Sequence, residues 1–176
     1  SKLTLDGELT VAGNEFELTG EGSANKGKIT IDGRGVFTIG GTLANSGTIA
    51  FGAAGSTLVV DGSLENAGTN AKIGDGTTTN GKLEVAGTLT NKNQVSANGI
   101  KVSGKLSNLS SDATGDTYTG KISAATLTIE KGGVVESDFD DGKYVVGTTI
   151  VEEGGAFVTK LNGSVASSTT KNALTG

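Results

Sequence analysis

The chain has 176 residues, a net charge of −5 and 30 glycines, with no proline, cysteine, histidine, methionine or tryptophan. Lacking cysteine and histidine, it has no disulfide framework, no thiol or imidazole ligand for a transition metal, and no common nucleophile–base pair. The mild, dispersed acidity, with Arg34 the only arginine, excludes the clustered basic surface that nucleic acid requires, and no apolar run is long enough to insert in a membrane as a helix.

Short alternating pairs begin at once. Leu3-Thr-Leu5, Leu9-Thr-Val11, Phe16-Glu-Leu18, Ile29-Thr-Ile31 and Phe37-Thr-Ile39 each place two apolar residues one apart and then run into a glycine. That is the period-two signature of a short strand ending at a corner. Next a phrase recurs: Gly41-Thr-Leu-Ala-Asn45, Gly62-Ser-Leu-Glu-Asn66, Gly87-Thr-Leu-Thr-Asn91 and Gly104-Lys-Leu-Ser-Asn108, with asparagines 21, 25 and 17 residues apart. A repeat near 20 that tolerates insertions predicts a solenoid, one coil per copy. Between the copies stand Ile49 with Phe51, Leu58 with Val60, Leu83 with Val85, Ile100 with Val102, and later Leu127 with Ile129. Three strands per coil and about seven or eight coils predict an all-β, single-stranded parallel β-helix, a rod roughly 35–40 Å long.

The rhythm loosens after Leu109. Residues 110–117 read as a polar loop leaving the stack. Val134–Val146 and Thr148–Lys160, anchored by Tyr144, Val146, Ile150, Phe157 and Val158, read as wider coils or a closing hairpin. Residues 1–165 form the solenoid in this reading, and residues 166–176 a flexible tail or linker. The opening residues lack the pattern of a secretory leader, and the missing methionine reads as a mature or excised segment.

Leu, Ile and Val fill the positions expected to face inward, while Thr, Glu, Lys, Ser and Ala occupy those between them. Glycine falls at the corners, where positive φ is expected. Asn45, Asn66, Asn91 and Asn108 share one corner. There an asparagine tolerates left-handed geometry, and its amide can bond the copies on either side in a polar ladder. Outward-facing amides that bind sugar are the functional alternative.

Few residues suggest chemistry. Glu136, Asp138, Asp140 and Asp141, with Glu152 and Glu153, are the carboxylates from which a sugar-cleaving pair could be drawn. Asp138, Asp140 and Asp141 also form the one candidate calcium loop, although the spacing of a helix–loop–helix site is missing and a solvated acidic turn explains them as well. No catalytic residue and no cofactor other than this calcium is expected. Thr77-Thr78-Thr79 is a local cluster, without the regular threonine ladder of an ice-binding face.

The stretch Gly41 to Ile49, Gly-x-Leu-x-Asn-x-Gly-x-Ile, resembles the repeats of bacterial autotransporter passengers and filamentous-haemagglutinin-type adhesins. The resemblance is closest over residues 29–108. It implies a right-handed coil at the surface of a bacterium or secreted from it, serving as a stiff adhesive or structural module without catalysis. Its partners would be host-cell or matrix molecules. The alternatives are a fibre, biofilm-matrix or surface-layer subunit stacking end to end with identical copies, and a carbohydrate-active enzyme.

Overall fold

The computed structural model describes residues 3–13, 15–109, 119–138, 143–160 and 171–173. The chain winds as a parallel β-solenoid, and the described residues contain no helix. The first circuit runs through β1 (Thr4–Leu5), β2 (Glu8–Ala12) and β3 (Glu15–Leu18). The second has β4 (Ser23–Asn25), β5 (Lys28–Asp32) and β6 (Val36–Ile39), and the third β7 (Leu43–Asn45), β8 (Thr48–Phe51) and β9 (Thr57–Val60). The fourth follows with β10 (Leu64–Asn66), β11 (Lys72–Ile73) and β12 (Lys82–Val85).

The later circuits have two strands each. They are β13 (Thr88–Asn91) with β14 (Gln94–Val102), β15 (Lys105–Asn108) with β16 (Lys121–Ile129), β17 (Val134–Asp138) with β18 (Lys143–Val151), and β19 (Ala156–Lys160) with β20 (Lys171–Ala173). β14, β16 and β18 each run straight through the corner that separates two faces in the earlier circuits. The two columns β2-β5-β8-β11 and β3-β6-β9-β12 therefore merge at β14 into one sheet, opposite an eight-stranded sheet that runs from β1 to β19.

The pattern of alternation explains these strands. In β5 the burial runs exposed, buried, half-buried, buried, exposed, so Ile29 and Ile31 face the core while Thr30 faces out. The same parity holds in β9 and β12, which pair in register as Leu58 with Leu83 and Val60 with Val85. Buried side chains stack from Val11 and Leu18 to Ile129 and Val135 in one continuous core. Removing a fully buried leucine or isoleucine from water contributes about 1.5–3 kcal/mol, and each circuit supplies several.

Some expectations need correction. Of these eight circuits about six form full turns of the solenoid, against the seven or eight coils expected; six strands of the eight-stranded sheet, β4 to β17, carry buried inward residues. Insertions at the corners, such as residues 74–81, use up chain that regular coils would have needed. Of the two readings of the last segments, wider coils or a closing hairpin, the described strands fit the first: β17 with β19 and β18 with β20 pair in parallel like the rest. Ile150 is not an inward anchor: it stands in register with outward Thr128, and Thr149, in register with buried Leu127, takes the inward place. The run Thr148-Thr149-Ile150-Val151 has no alternation to reveal its parity.

The glycines of the repeated phrase are also explained differently. None of Gly41, Gly47, Gly62, Gly87 and Gly104 is among the described glycines with positive φ. They are needed because successive corners touch. A Cβ on Gly47 would overlap the carbonyl oxygen of Gly27, one on Gly62 that of Gly41, one on Gly87 that of Gly62, and one on Gly104 that of Gly87. Residues 110–118, where the polar loop was expected, lie outside the described residues. So does most of the expected tail, within which Lys171–Ala173 pairs with β18.

Candidate functional site

Sheet register brings five asparagines into one column: Asn25, Asn45, Asn66, Asn91 and Asn108 pair strand to strand at the ends of β4, β7, β10, β13 and β15. All five side chains are buried. Each Nδ2 donates to the Oδ1 of the next, at 2.7 Å from Asn25 to Asn45, 2.8 Å to Asn66, 2.8 Å to Asn91 and 2.7 Å to Asn108. The second amide hydrogen closes the corner on a backbone carbonyl, as Asn91 does on Asn93 at 2.7 Å and Asn66 on Gln94 at 3.1 Å.

A carboxamide suits this place because it donates on one side and accepts on the other, so identical groups repeat along the stack. No described residue other than glycine has positive φ. The asparagines therefore act through their side chains and not through left-handed backbone. Asn25 escapes the sequence pattern because Ser23 stands where the phrase has leucine, although its 20-residue distance from Asn45 fits the interval. Their burial places these amides inside the rod and out of reach of sugar.

The outer surface of the eight-stranded sheet forms a shallow, open groove of about 540 Å³. Small and hydroxyl side chains line it, among them Ala24, Thr42, Ala44, Ser63, Thr88 and Thr90, with Glu65 at one side. Two of the hydroxyls are tied to backbone, Thr42 accepting from Gly22 N at 3.1 Å and Ser63 from Thr88 N at 3.2 Å. Glu65 pairs with Lys92 at 3.1 Å.

Charge gathers elsewhere around Lys101, which lies 2.9 Å from Glu130 and 3.9 Å from Glu84. The hydroxyl of Ser103 also donates to Glu130. That hydrogen bond, and then the one from Lys101, holds the Glu130 carboxyl below the usual glutamate range. Lys101 is raised in turn, chiefly by its bond to Glu130. The corner loop 74–81 is pinned by Ser96, whose hydroxyl accepts from Gly76 N at 2.8 Å. Within it Asp75 is lowered, first by the hydroxyl of Thr77, which donates to it at 2.6 Å.

For most of the acidic candidates the side chains lie outside the described residues. Asp138 ends β17 and Glu136 lies within it, with side chains outside the described part, as are Asp140 and Asp141 altogether. Glu152 and Glu153 are exposed in the turn that follows β18. Among the described residues no three carboxylates gather as a metal would need. Thr77 and Thr79 bond each other at 3.0 Å in the exposed loop, away from any face.

Comparison with known proteins gives no match: no family model, no curated protein and no solved structure aligns with this chain.

Proposed function

We propose that this protein is a passive structural and adhesive module, a stiff rod displayed outside a bacterial cell or secreted from it, holding an outer face toward host or matrix molecules. The continuous asparagine ladder carries the reading. Five buried carboxamides in series lock the register of successive turns without offering reactive atoms to solvent. Such a column serves stiffness and resistance to unfolding. The cysteine-free composition suits a chain that crosses membranes before it folds, and the repeat phrase resembles adhesin repeats. The groove on the eight-stranded sheet offers a lateral surface for contact, because its small side chains let another surface approach the backbone closely.

The test combines protease resistance with binding to surfaces coated with matrix protein or glycan. Ala44→Arg with Thr90→Arg, both on the outer face of the groove, should abolish retention while leaving the circular dichroism spectrum and melting unchanged. Release of sugar from a glycan substrate, lost on replacing Asp138 and Glu152, would overturn the reading in favour of an enzyme.

A further inference from the structure

Lysines scattered in the sequence are gathered by the register. Just past the asparagine corner, β5, β8, β11, β14 and β16 begin, and their first residues stand in one column: Lys28, Thr48, Lys72, Gln94 and Lys121. The next residue of each strand, from Ile29 to Ile122, is fully buried, so alternation turns the column outward. A neighbouring column directly follows the asparagines and holds Lys26, Ser46, Ala67, Lys92 and Leu109. Backbone hydrogen bonds continue the ladder there, as from Ser46 N to Asn25 O and from Lys92 N to Asn66 O. Over these five circuits every charged residue in the two columns is a lysine.

Elsewhere the rod neutralises its lysines, Lys101 with Glu130 and Glu84, and Lys92 with Glu65. Among the described residues no carboxylate forms an ion pair with Lys26, Lys28, Lys72 or Lys121. Asp75, just beyond β11, is bonded by Thr77 instead, through its amide at 2.8 Å and its hydroxyl at 2.6 Å. Lys28, Lys72 and Lys121 follow one another at two strand spacings, about 9.6 Å, which is close to the screening length in physiological salt. On a chain of net charge −5 they make a basic line about 19 Å long, parallel to the rod axis.

We propose that this line binds a linear acidic polysaccharide laid along the rod, one sugar to a circuit, with a carboxylate or sulfate on every second sugar. A sugar ring in an extended chain is about as long as the strand spacing of about 4.8 Å. Anionic groups on alternate rings then meet Lys28, Lys72 and Lys121 in turn. Thr48 and Gln94 face the neutral rings between, whose hydroxyls they are equipped to bond. Lys26 and Lys92 add charge from across the corner. Nucleic acid fits less well, because neither column holds an aromatic side chain to stack a base or an arginine to fork a phosphate. The proposal rests on the displayed-rod reading in one respect, that the outer surface meets extracellular polymers. It does not rest on the groove, which lies on the other side of the asparagine corner.

Fluorescence anisotropy tests it, with labelled hyaluronan fragments, in which glucuronate alternates with a neutral sugar, titrated with the 176-residue chain. Wild type should bind them, and more weakly as salt is raised. Lys28→Gln with Lys72→Gln and Lys121→Gln should weaken binding about tenfold or more, because three charge pairs are lost. Lys82→Gln with Lys105→Gln and Lys131→Gln removes the same charge from other parts of the surface and should cost less than about twofold. Matched melting curves would show that both variants fold.

No binding by wild type at low salt overturns the proposal, and so does a loss shared equally by the two triple variants. Labelled oligothymidylate bound as tightly as hyaluronan would overturn it too, by showing a site for any polyanion. The lysine variants leave every groove residue in place, so failure here and failure of the groove to hold a surface are read separately. Shortening of the fragments would overturn the non-catalytic reading, while the comparison of the triple variants would still decide the lysine line.

Discussion

Leu5 stands in register with Asn25, and Asn25 Oδ1 is buried without a hydrogen-bond partner. It is the acceptor end of the ladder: the other amide oxygens of the column, from Asn45 to Asn108, each receive the Nδ2 of the preceding asparagine. Leucine cannot donate, so the series stops there with an orphaned oxygen. Leu5→Asn should supply the missing donor and be more stable than Leu5→Ala by about 1 kcal/mol, because both lose the leucine's packing but only the first returns a bond to the buried acceptor. Leu5→Ala should only lose packing. Chemical denaturation of the three chains tests this, and a Leu5→Asn variant no more stable than Leu5→Ala would sink it.

Cutting the ladder in the middle should cost more. Asn66→Ala leaves the Oδ1 of Asn91 without its donor and takes the acceptor from Asn45, both in the interior. A loss of about 2–4 kcal/mol is expected from two unsatisfied buried groups and a small cavity. Unfolding in urea at constant slope would show it; a change under about 0.5 kcal/mol would mean that water or backbone replaces the bonds at little cost.

The glycine column gives a sharper outcome. Gly87→Ala puts a methyl group against the carbonyl oxygen of Gly62, where only backbone could move to relieve it. Overpacking of this kind costs about 1–3 kcal/mol or more. Gly132→Ala is a control of another type, since its Cβ would meet nothing within 4 Å and its φ of 83° is the only obstacle. Comparable melting of Gly87→Ala and wild type would refute the close-contact explanation.

Glu130 sets a pH dependence. Its carboxyl is held below the ordinary value by Ser103 and then Lys101. A lowered folded pKa adds stability above the unfolded pKa, and that stability is lost as pH falls through the folded value. Lys101 is 42% exposed and Glu130 27%, so screening keeps the effect small, under about 1 kcal/mol. Glu130→Gln should therefore be slightly less stable than wild type at neutral pH, with the gap closing as the pH falls below the ordinary glutamate range. A gap that persists unchanged in acid would assign the loss to packing instead.

Much of this molecule was legible because a solenoid repeats its physics. Leu58 with Val60 and Leu83 with Val85 announce two strands of one column, since alternation fixes which side chain enters the core. The interval of the asparagines likewise points to a shared corner. What escaped lies where repetition fails or where backbone meets backbone. Thr149 and Ile150 sit in an uninterrupted β-branched run with no parity to read. Asn25 is preceded by serine in place of leucine. The nine-residue strand β14 crosses a corner because no loop residues are left there to turn it. Glycine's part in coil-to-coil contact cannot be separated in sequence from its part in turns, because both need the same residue.

The corner loops differ widely: residues 33–35 turn the second circuit, residues 52–56 the third and residues 74–81 the fourth. Yet β12, which follows the longest of these, still pairs residue for residue with β9 on one side and β14 on the other. Length is absorbed locally and does not propagate. That corner is therefore a natural graft point: a foreign epitope inserted near Thr78 should be presented at a fixed height along the shaft while its neighbours keep their seats. Copies of one chain could carry different cargo there at the same spacing.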